Sequence, residues 1–342
     1  MLRGIRYGRP CMQTYLYGYI ALVKPKVIVT LIDNSLPFYF INHRFPKAIT
    51  IAIQNGRRDN FGRKPNTGLL DLLQIDHGWG KPTISHYCMF GEAEISLLRK
   101  YIRANFIATG NLQNNSYPQK PLTRRARPKI SFVSSHPNLS HDLSTTALSQ
   151  DTYMHTGNRT ISFFEYYRIE RDVAKVVGQY CAENNLDFHI VGKRPETTPQ
   201  EHAFYAEALG EIPFTFHPCS SEGASYPRLL DSDVVVTVDS TIAYELFGRG
   251  KRVAFISVRG EAIGHSSIDF CRFASPLSTP DTGNNWTNTF DPMVIKSKLE
   301  FVRSSSQSEW EDATKSIAPQ LVYFDEDNTR IRSLFSSLGL AQ

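Results

Sequence analysis

An apolar run in the second half of the chain ends abruptly at three small polar residues. DVVVTVDS is followed at once by TIAYELFGRG, which has helical periodicity, so Asp239, Ser240 and Thr241 lie at a predicted strand–helix junction. Unpaired backbone N–H groups at a helix N-terminus, together with adjacent hydroxyls, bind phosphate groups well. The same residue types also cap helices in the absence of any ligand. Ser240 and Thr241 are therefore candidates for phosphate binding, with a structural N-cap as the alternative.

A carboxylate follows about one helical turn later. Glu245 falls on the same predicted helix face as Thr241. From that position it can accept hydrogen bonds from the hydroxyls of a ribose. A capping or surface role for Glu245 is the alternative.

Two further predicted strands of this half end in groups that suit a phosphate. DFHIVGKR ends in two cations and PFTFHP ends in a histidine, although a lone histidine is more often structural. The carboxyl ends of parallel strands lie at one edge of a sheet, where cations can neutralise a diphosphate. The predicted nucleotide-binding residues are Lys193, Arg194, His217, Ser240, Thr241 and Glu245.

Polar residues also end the predicted strands of the first half, in KVIVTLIDNS and ITIAIQNGRRDN. These segments predict a loop that faces a ligand, with a charged surface turn as the alternative. Predicted acceptor-binding or sugar-binding residues are Asn34, Gln54, Asn55 and Arg57. A carboxylate or an imidazole can deprotonate an acceptor hydroxyl, so the predicted catalytic residues are Asp33, Asp59 and His86. Asp33 ranks first because it ends a buried strand, whereas the arginines beside Asp59 suit binding better.

Several common motifs are absent. The chain contains neither G-x-G-x-x-G after a strand nor the phosphate-binding loop G-x-x-x-x-G-K-S/T. Asp231-Ser-Asp233 matches the D-x-D of metal-dependent sugar transferases, but it precedes a buried strand instead of ending one. Histidines and carboxylates show no metal-ligand spacing. We therefore expect no metal and no cofactor, with a nucleotide-sugar donor as substrate.

Length and composition bound the remaining possibilities. The chain has 342 residues, 41% of them hydrophobic, which predicts two folded domains and excludes wholesale disorder. Five cysteines without paired spacing favour a reducing compartment. The net charge of +5 is too small to select among nucleic acid, membrane and phosphorylated ligands, and no motif indicates nucleic acid.

No apolar run is long enough to span a membrane, so a cytoplasmic protein is expected. The N-terminal segment MLRGIRYGRPCMQTYLYGYIALVKPK reads as a helix with basic residues before a Tyr/Leu face. That face is either buried in the core or rests on a membrane. A peripheral contact with the cytoplasmic face of the inner membrane therefore stays open.

Short β-branched runs alternate with helical patterns, which is typical of parallel βαβ units. The sequence predicts an α/β fold of two Rossmann-like doubly wound domains, joined by a proline-containing linker at 114–127, with a polar loop at 137–160 near a site. Predicted strands are 26–33, 48–56, 86–91, 105–111, 129–135, 187–194, 213–218, 233–240 and 252–258, and predicted helices are 92–102 and 162–184. Predicted domains are 1–120 on the acceptor side, 121–290 for the nucleotide-sugar, and 291–342 as C-terminal helices that pack across both.

The blocks KPKVIVTLIDNSLPFYF, ITIAIQNGRRD, HYCMFGEAE, ATGNLQNN and DVVVTVDSTIAYELFGRGKRVAFISVRG, with NNWTN and FDEDNTR, cover about residues 20 to 330. In order and spacing they resemble bacterial surface carbohydrate (O-antigen and capsule) biosynthesis proteins, regarded as glycosyltransferases. The resemblance implies a GT-B fold that holds a nucleotide-sugar mainly in its second domain. It also implies transfer of the sugar to a surface polysaccharide or a lipid-linked glycan. The His217-Pro218 strand end and the Ser240-Thr241 turn are also similar to transferases that use CMP-activated acidic sugars.

One feature departs from that pattern. Such transferases open with a strand and a glycine-containing loop, whereas the first convincing strand here is 26–33, so the first domain is expected to be abbreviated. Two other functions stay open: a sugar-nucleotide epimerase of the same fold, and a non-catalytic scaffold that binds partners through its Tyr-rich first helix.

Overall fold

Two parallel sheets form the framework of the protein. The computed structural model describes residues 12–58, 68–75, 78, 80–119, 126–136, 152–156, 159–221, 223–264 and 271–340. Within them lie a four-stranded sheet, a six-stranded sheet and a two-stranded antiparallel hairpin. Asp59 and most of the predicted loop 137–160 lie outside the described residues.

The first sheet has the strand order β1-β2-β3-β4, and all its neighbouring strands are parallel. Its strands are β1 (Val27–Thr30), β2 (Ile49–Ile53), β3 (Thr83–Met89) and β4 (Arg103–Ala108). Its helices are α1 (Met12–Val23), a 3-10 helix (Leu36–Phe40), α2 (Ile41–Arg44), α3 (Leu69–Gln74), α4 (Glu92–Leu98) and α5 (Leu112–Ser116). The side chain of Asn111 begins α5 by accepting hydrogen bonds from the N–H groups of Gln113 and Asn114.

The second sheet has the strand order β12-β11-β10-β5-β8-β9, again entirely parallel. Its strands are β5 (Lys129–Val133), β8 (Asp187–Val191), β9 (Thr215–His217), β10 (Val234–Thr237), β11 (Val253–Ile256) and β12 (Trp286–Thr287). The hairpin consists of β6 (Thr152–Thr156) and β7 (Arg159–Ser162). The helices are α6 (Phe163–Glu183), α7 (Pro199–Leu209), α8 (Ser225–Leu230), α9 (Thr241–Gly248) and α10 (Arg259–Ala262).

The centre of the second sheet is β5, which pairs with β8 on one side and β10 on the other. The chain therefore runs outward from β5 in both directions, which makes this a topological switch point. All four residues of β10 are buried, as expected for a parallel strand covered on both faces. In open α/β sheets, ligands bind outside the carboxyl ends of the strands at such a point.

The predicted strands are present with different bounds: β3 and β4 begin earlier than predicted, at Thr83 and Arg103, and the others are shorter than predicted. The sequence did not reveal the β6–β7 hairpin, which begins in the predicted loop 137–160 and ends at Ser162, or the two-residue strand β12. Met154 and Ile161 are the buried apolar residues of the hairpin. Two such residues give too weak an alternation of apolar and polar side chains to distinguish a strand from a loop. The domain boundaries at residues 120 and 290 stay a prediction.

The last helices contact both sheets in turn. They are α11 (Pro292–Ser304), α12 (Gln307–Thr314), α13 (Ala318–Leu321), a 3-10 helix (Glu326–Asn328) and α14 (Thr329–Ser337). In α11, Leu299 is buried in the large core of the second sheet. In α14, Ile331 and Leu334 pack with Ile51 of β2 and Cys88 of β3. The end of the described chain therefore returns to the first sheet.

The return of the chain depends on a glycine. Gly110 has a φ of 68°, and a Cβ on it would overlap the carbonyl oxygen of Tyr323. Gly339 has the same φ of 68° but nothing within 4 Å of such a Cβ. Both Gly→Ala variants incur the left-handed penalty of about 1–2 kcal/mol. We expect Gly110→Ala to lower the free energy of unfolding by about 1–3 kcal/mol more than Gly339→Ala, because of the steric overlap.

Urea unfolding followed by circular dichroism measures this difference. Gly339→Ala is the matched control, since Gly339 has the same positive φ without the close neighbour. Equal losses in the two variants would contradict the close approach of the segment around Tyr323.

The N-terminal helix α1 places its tyrosines in two environments. Tyr17 and Ile20 are buried in the core of the first sheet, whereas Tyr15 and Tyr19 are exposed. Core packing therefore explains the face with Tyr17 and Ile20, but it does not explain the exposed face with Tyr15 and Tyr19. Among the helices of the described ranges, none combines the length and the apolar character needed to cross a bilayer.

Candidate functional site

A pocket of about 450 Å³ lies at the carboxyl ends of β5, β8 and β10. This is the topological switch point, where a ligand site is expected. The first sheet contributes Asn55, which follows β2. The lining residues from the second sheet and its helices include Ser134, Ser135, Tyr166, Tyr167, Gly192, Lys193, Asp239, Ser240, Thr241, Glu245 and Arg259.

The N-terminus of α9 borders this pocket. Ser240 is the N-cap residue, with an extended backbone, but its side chain makes no capping hydrogen bond. Its own N–H donates to the Thr237 hydroxyl at 2.9 Å. The hydroxyls of Ser240 and Thr241 both line the pocket at the positive end of the helix dipole. This arrangement suits an anion, as predicted for a phosphate.

A buried carboxylate fixes the loop that follows β8. Glu201 is fully buried, and its oxygens accept hydrogen bonds from the N–H groups of Lys193 and Arg194, both at 2.8 Å. The hydroxyl of Ser134, at the end of β5, donates to the same carboxylate at 2.6 Å. The loop backbone is therefore held in place, while the Lys193 side chain is exposed and lines the pocket.

A buried ion network lies beneath the opposite wall. Nε of Arg259 donates to Asp239 at 2.5 Å, and its Nη2 donates to Glu170. Glu170 also accepts from the Ser135 N–H at 3.0 Å and from the Tyr205 hydroxyl at 2.9 Å. The Ser135 hydroxyl donates to Asp239 at 3.2 Å. These contacts hold the ends of β5 and β10 at a fixed separation.

Burial and charge act in opposite directions in this network. Burial raises the pKa of Glu170 in spite of the attraction of Arg259. Burial also acts to raise the pKa of Asp239, but the charge and hydrogen bonds of Arg259 outweigh it and the pKa is lowered. The Arg259 charge is therefore balanced inside the protein, whereas Lys193 presents its charge to the pocket.

Glu245 connects the two sheets. It is only 3% exposed, and it accepts hydrogen bonds from the Asn111 amide of α5 at 3.1 Å and from the Tyr226 hydroxyl. Burial raises the pKa of Glu245 to about 8, although the Tyr226 hydrogen bond acts to lower it. The carboxyl is therefore protonated at neutral pH. Each oxygen keeps a second acceptor position, and Glu245 lines the pocket, so its contact with a ribose stays a prediction.

This carboxyl makes the stability of the protein depend on pH. The pKa of Glu245 in the folded state is about 8, above the ordinary value of 4.5. Between these two pH values the folded protein keeps the proton that the unfolded chain has released. Stability should therefore fall as the pH rises through this window, by up to about 1.4 kcal/mol per pH unit. Glu245→Gln keeps the shape without the titration, and we expect it to be less sensitive to pH than the wild type.

Urea unfolding of both proteins at about pH 5 and about pH 8 measures the effect. The glutamine variant should gain stability relative to the wild type at the higher pH. Parallel changes in the two proteins would show that Glu245 does not titrate in this window.

The loop after β2 reaches the second sheet. The guanidinium of Arg57 lies 3.9 Å from the centre of the Tyr244 ring and donates to the Ser275 carbonyl at 2.5 Å. Its N–H donates to the Thr241 hydroxyl at 3.5 Å. The Gln54 side chain is buried and accepts from the Phe90 N–H at 2.7 Å. Of the predicted acceptor residues near this loop, Asn55 is the one that lines the pocket, and Arg57 joins the two sheets.

Asp33 is fully buried and ion-paired. Its carboxylate accepts from Nε and Nη2 of Arg58, the former at 2.7 Å. It also accepts from the Tyr87 hydroxyl at 2.8 Å and from the Asn55 N–H at 3.1 Å. Proton abstraction from an acceptor would require Arg58 to leave. The observed contacts give Asp33 a role in positioning Arg58 and Asn55, and its role as a base stays a prediction.

The other predicted catalytic and acceptor residues lie elsewhere. His86 is in β3, where its Nδ1 lies 3.2 Å from the Asn105 amide and burial lowers its pKa. Asn34 is exposed in the turn after β1. Within the described residues neither lines the pocket. Asp59 lies outside the described residues.

Two predicted nucleotide-binding residues are also missing from the described pocket lining. His217 stacks on His189, with Nε2 and Nδ1 2.7 Å apart, and burial together with nearby cations lowers its pKa. The Arg194 side chain donates from Nε to the His136 carbonyl at 3.1 Å. Neither belongs to the described pocket lining, so of the six predicted residues Lys193, Ser240, Thr241 and Glu245 come together there.

Sequence reasoning missed Glu170, Glu201 and Arg259. The two glutamates lie inside predicted or observed helices, where an acidic residue is usually solvated, so nothing in their spacing marks them as buried. Arg259 follows β11 directly, and its position after a strand was the signal that could have identified it. Within the described ranges, no three His, Cys, Asp or Glu side chains are grouped to hold a metal ion. Independence of metal stays a prediction.

A family profile described as "putative O-antigen biosynthesis protein" matches residues 51–338. The chain belongs to this family. The match includes most of the first sheet, the whole second sheet and the returning helices, and it confirms the resemblance drawn from the sequence blocks. No curated protein sequence matches the chain.

Solved structures similar to this O-antigen biosynthesis family member establish its fold. MnaA of S. aureus, in a co-structure with UDP, has 11% identity and a TM-score of 0.52 over 96% of this chain and 80% of that one. A Methanocaldococcus jannaschii UDP-GlcNAc 2-epimerase, in complex with UDP-GlcNAc and UDP, has 12% identity and a TM-score of 0.51 over 95% and 80%. A variant of the wall teichoic acid polymerase TagF, soaked with CDPG, has 11% identity and a TM-score of 0.51 over 91% and 72%. The fold is GT-B, with two Rossmann-like domains.

Proposed function

We propose that the protein binds a nucleotide-sugar and transfers the sugar to a surface polysaccharide or a lipid-linked glycan. The observation that carries the proposal is the N-terminus of α9, where Ser240 and Thr241 line a pocket together with the exposed cation Lys193. A helix N-terminus with an adjacent lysine is suited to a diphosphate. The family of O-antigen biosynthesis proteins supports a product at the cell surface. We place the activity at the cytoplasmic side of the membrane.

The donor would lie along α9. Its diphosphate would contact the hydroxyls of Ser240 and Thr241, the Thr241 backbone N–H and the Lys193 ammonium, and its ribose would lie near Glu245. Negative charge accumulates on the leaving nucleoside diphosphate during transfer, and donors already fixed in place stabilise that charge. Glu201 fixes the backbone of Lys193, and Arg259 and the Ser135 hydroxyl fix Asp239 beside Ser240. The proposed reaction uses no cofactor and no metal.

The acceptor would approach from the first sheet. Asn55 lines the pocket on that side, and the loop that contains it is anchored by Asp33 and bridged to the second sheet by Arg57. Deprotonation of an acceptor hydroxyl needs a base within hydrogen-bond reach across the cleft from the phosphate. Asp33, Asp59 and His86 remain the proposed bases, and Asp33 acts as one only if Arg58 is displaced.

The named ligands of the compared structures support a pyrimidine nucleotide. MnaA was solved with UDP, the archaeal epimerase with UDP-GlcNAc and UDP, and TagF after soaking with CDPG. We therefore propose a uridine or cytidine diphosphate donor for this chain.

An epimerase is the second candidate function. A solved UDP-GlcNAc 2-epimerase shares this fold over 95% of the chain. Such an enzyme would bind the same phosphates but convert its donor in the absence of any acceptor.

Product analysis separates these functions. The protein is incubated with UDP-GlcNAc or another candidate donor, alone and with a lipid-linked glycan extract, and the nucleotide products are followed by NMR. Release of nucleoside diphosphate that depends on the extract supports transfer. Conversion of the sugar without the extract would assign epimerase activity instead. Binding without either product would leave a non-catalytic role.

A further inference from the structure

The positive charge of the chain is concentrated at its beginning. Residues 1–32 contain no acidic side chain, and the rest of the chain contains 33 basic and 33 acidic residues. The net charge of +5 therefore arises entirely from this first segment. Its basic residues are Arg3, Arg6, Arg9, Lys24 and Lys26.

The same segment carries an exposed apolar helix face. In α1, Tyr15, Tyr19 and Leu22 are 58%, 55% and 59% exposed, and their spacing places them on one face. The other face, with Tyr17 and Ile20, is buried in the core. The sequence of α1, MQTYLYGYIALV, contains no charged residue. The helix is therefore anchored to the protein on one side and presents an aromatic and aliphatic surface on the other.

Cations and further apolar side chains follow α1 directly. Lys24 and Lys26 are exposed just after the last turn. The chain then enters β1, the edge strand of the first sheet, where Val29 and the following Ile32 are also exposed. Tyrosines favour the level of the lipid headgroups, and lysines near a membrane surface are attracted to anionic lipids.

We propose that α1 binds the surface of a membrane that contains anionic lipids. The helix would lie parallel to the bilayer, with Tyr15, Tyr19 and Leu22 among the lipid headgroups and acyl boundary and with Lys24 and Lys26 beside lipid phosphates. The first domain of the GT-B fold would then rest on the membrane. This inference does not depend on the proposed reaction.

Charge decides between lipid and a second copy of the chain as the occupant. A symmetric dimer through this face would bring two acid-free segments of like charge together, which is unfavourable. An anionic bilayer complements the basic residues and covers the apolar face at the same time. Both properties of the segment therefore favour the membrane.

Vesicle flotation tests the proposal. The full chain is mixed with vesicles of phosphatidylcholine alone, or of equal parts phosphatidylcholine and phosphatidylglycerol, at about 0.1 M salt, where charges act over about 10 Å. We expect binding to the anionic vesicles only. The triple variant Tyr15→Ser/Tyr19→Ser/Leu22→Ser should partition at least about ten-fold less, since each exposed apolar side chain contributes to interfacial binding.

Met293→Ser is the matched control, because Met293 is an exposed apolar residue on α11 of the second domain, and it should bind like the wild type. Circular dichroism and thermal melting check the fold of the triple variant. Should that variant fail to fold, Lys24→Glu/Lys26→Glu serves instead, because it changes exposed charges only and should also lose binding.

Four results would overturn the proposal: no binding to either vesicle, equal binding to both, wild-type binding by the folded variants, or loss by the triple variant of a dimer that forms without vesicles. The last result would assign the face to a second copy. Flotation needs no nucleotide, so its outcome is separate from the test of the proposed function.

Discussion

Replacing Arg259 with methionine should lower the free energy of unfolding by about 3–5 kcal/mol, because the change leaves the buried Glu170 and the partly buried Asp239 without their cation. Arg259 is fully buried and pairs with both Asp239 and Glu170. Burial already raises the pKa of Glu170 with the arginine present, so its removal should lead to protonation of that group. The loss is measured by urea unfolding at neutral pH.

Arg303→Met is the control, because Arg303 forms its ion pair with Glu300 at the protein surface, where such pairs contribute about 0–1 kcal/mol. Adding Glu170→Gln to Arg259→Met should recover part of the stability, since a neutral amide at this buried position needs neither a cation nor a bound proton. A loss from Arg259→Met no larger than that from Arg303→Met would contradict the buried network.

Replacing Lys193 with alanine should weaken nucleoside diphosphate binding by roughly 10- to 150-fold, which corresponds to about 1.5–3 kcal/mol for a hydrogen bond to a charged group. The side chain is exposed at the pocket, whereas its N–H is held by Glu201. Alanine keeps that backbone bond, so the loop should retain its position and only the ammonium is lost. Calorimetric titration measures the change.

Lys175→Ala is the matched control, since Lys175 is an exposed lysine on α6 that does not belong to the described pocket lining. It should bind the nucleotide like the wild type. Equal affinities of Lys193→Ala and the wild type would place the phosphates away from Lys193. A loss of folding in Lys193→Ala, seen by circular dichroism, would show instead that the side chain stabilises the loop.

The sequence could predict those site residues that directly follow the carboxyl end of a strand. A buried strand that stops at polar residues, as at Ser240 and Thr241, indicates both the strand and the place where a ligand binds. Lys193 follows from the same rule. Fold class follows because alternating strands and helices have few stable arrangements.

The supporting residues could not be predicted because their roles arise from tertiary contacts. Glu170 lies in the middle of a long helix, and its partner Arg259 is 89 residues away along the chain. The ion pair of Asp33 with Arg58 likewise joins two loops. The position of Asp33 after a strand had indicated a catalytic base, whereas this contact indicates a positioning role. His217 ends a strand as predicted, but its side chain stacks on His189 of the neighbouring strand.

The pocket is shared between the two domains, which ties binding to their relative position. Arg57 of the first domain covers Tyr244, and Asn111 donates to Glu245 at the pocket wall. A ligand that displaced either contact would change how the domains meet. The protonated state of Glu245 therefore belongs to the domain interface as well as to the site.

Calorimetric titration of the wild-type protein with UDP, CDP, GDP and CMP tests the central claim, a nucleotide site between the N-terminus of α9 and Lys193, most directly. We predict saturable binding of at least one of the diphosphates, UDP or CDP, with weaker binding of CMP because it lacks the second phosphate, and a marked loss of affinity in Lys193→Ala. Absence of binding by all four nucleotides to the folded protein would contradict the account.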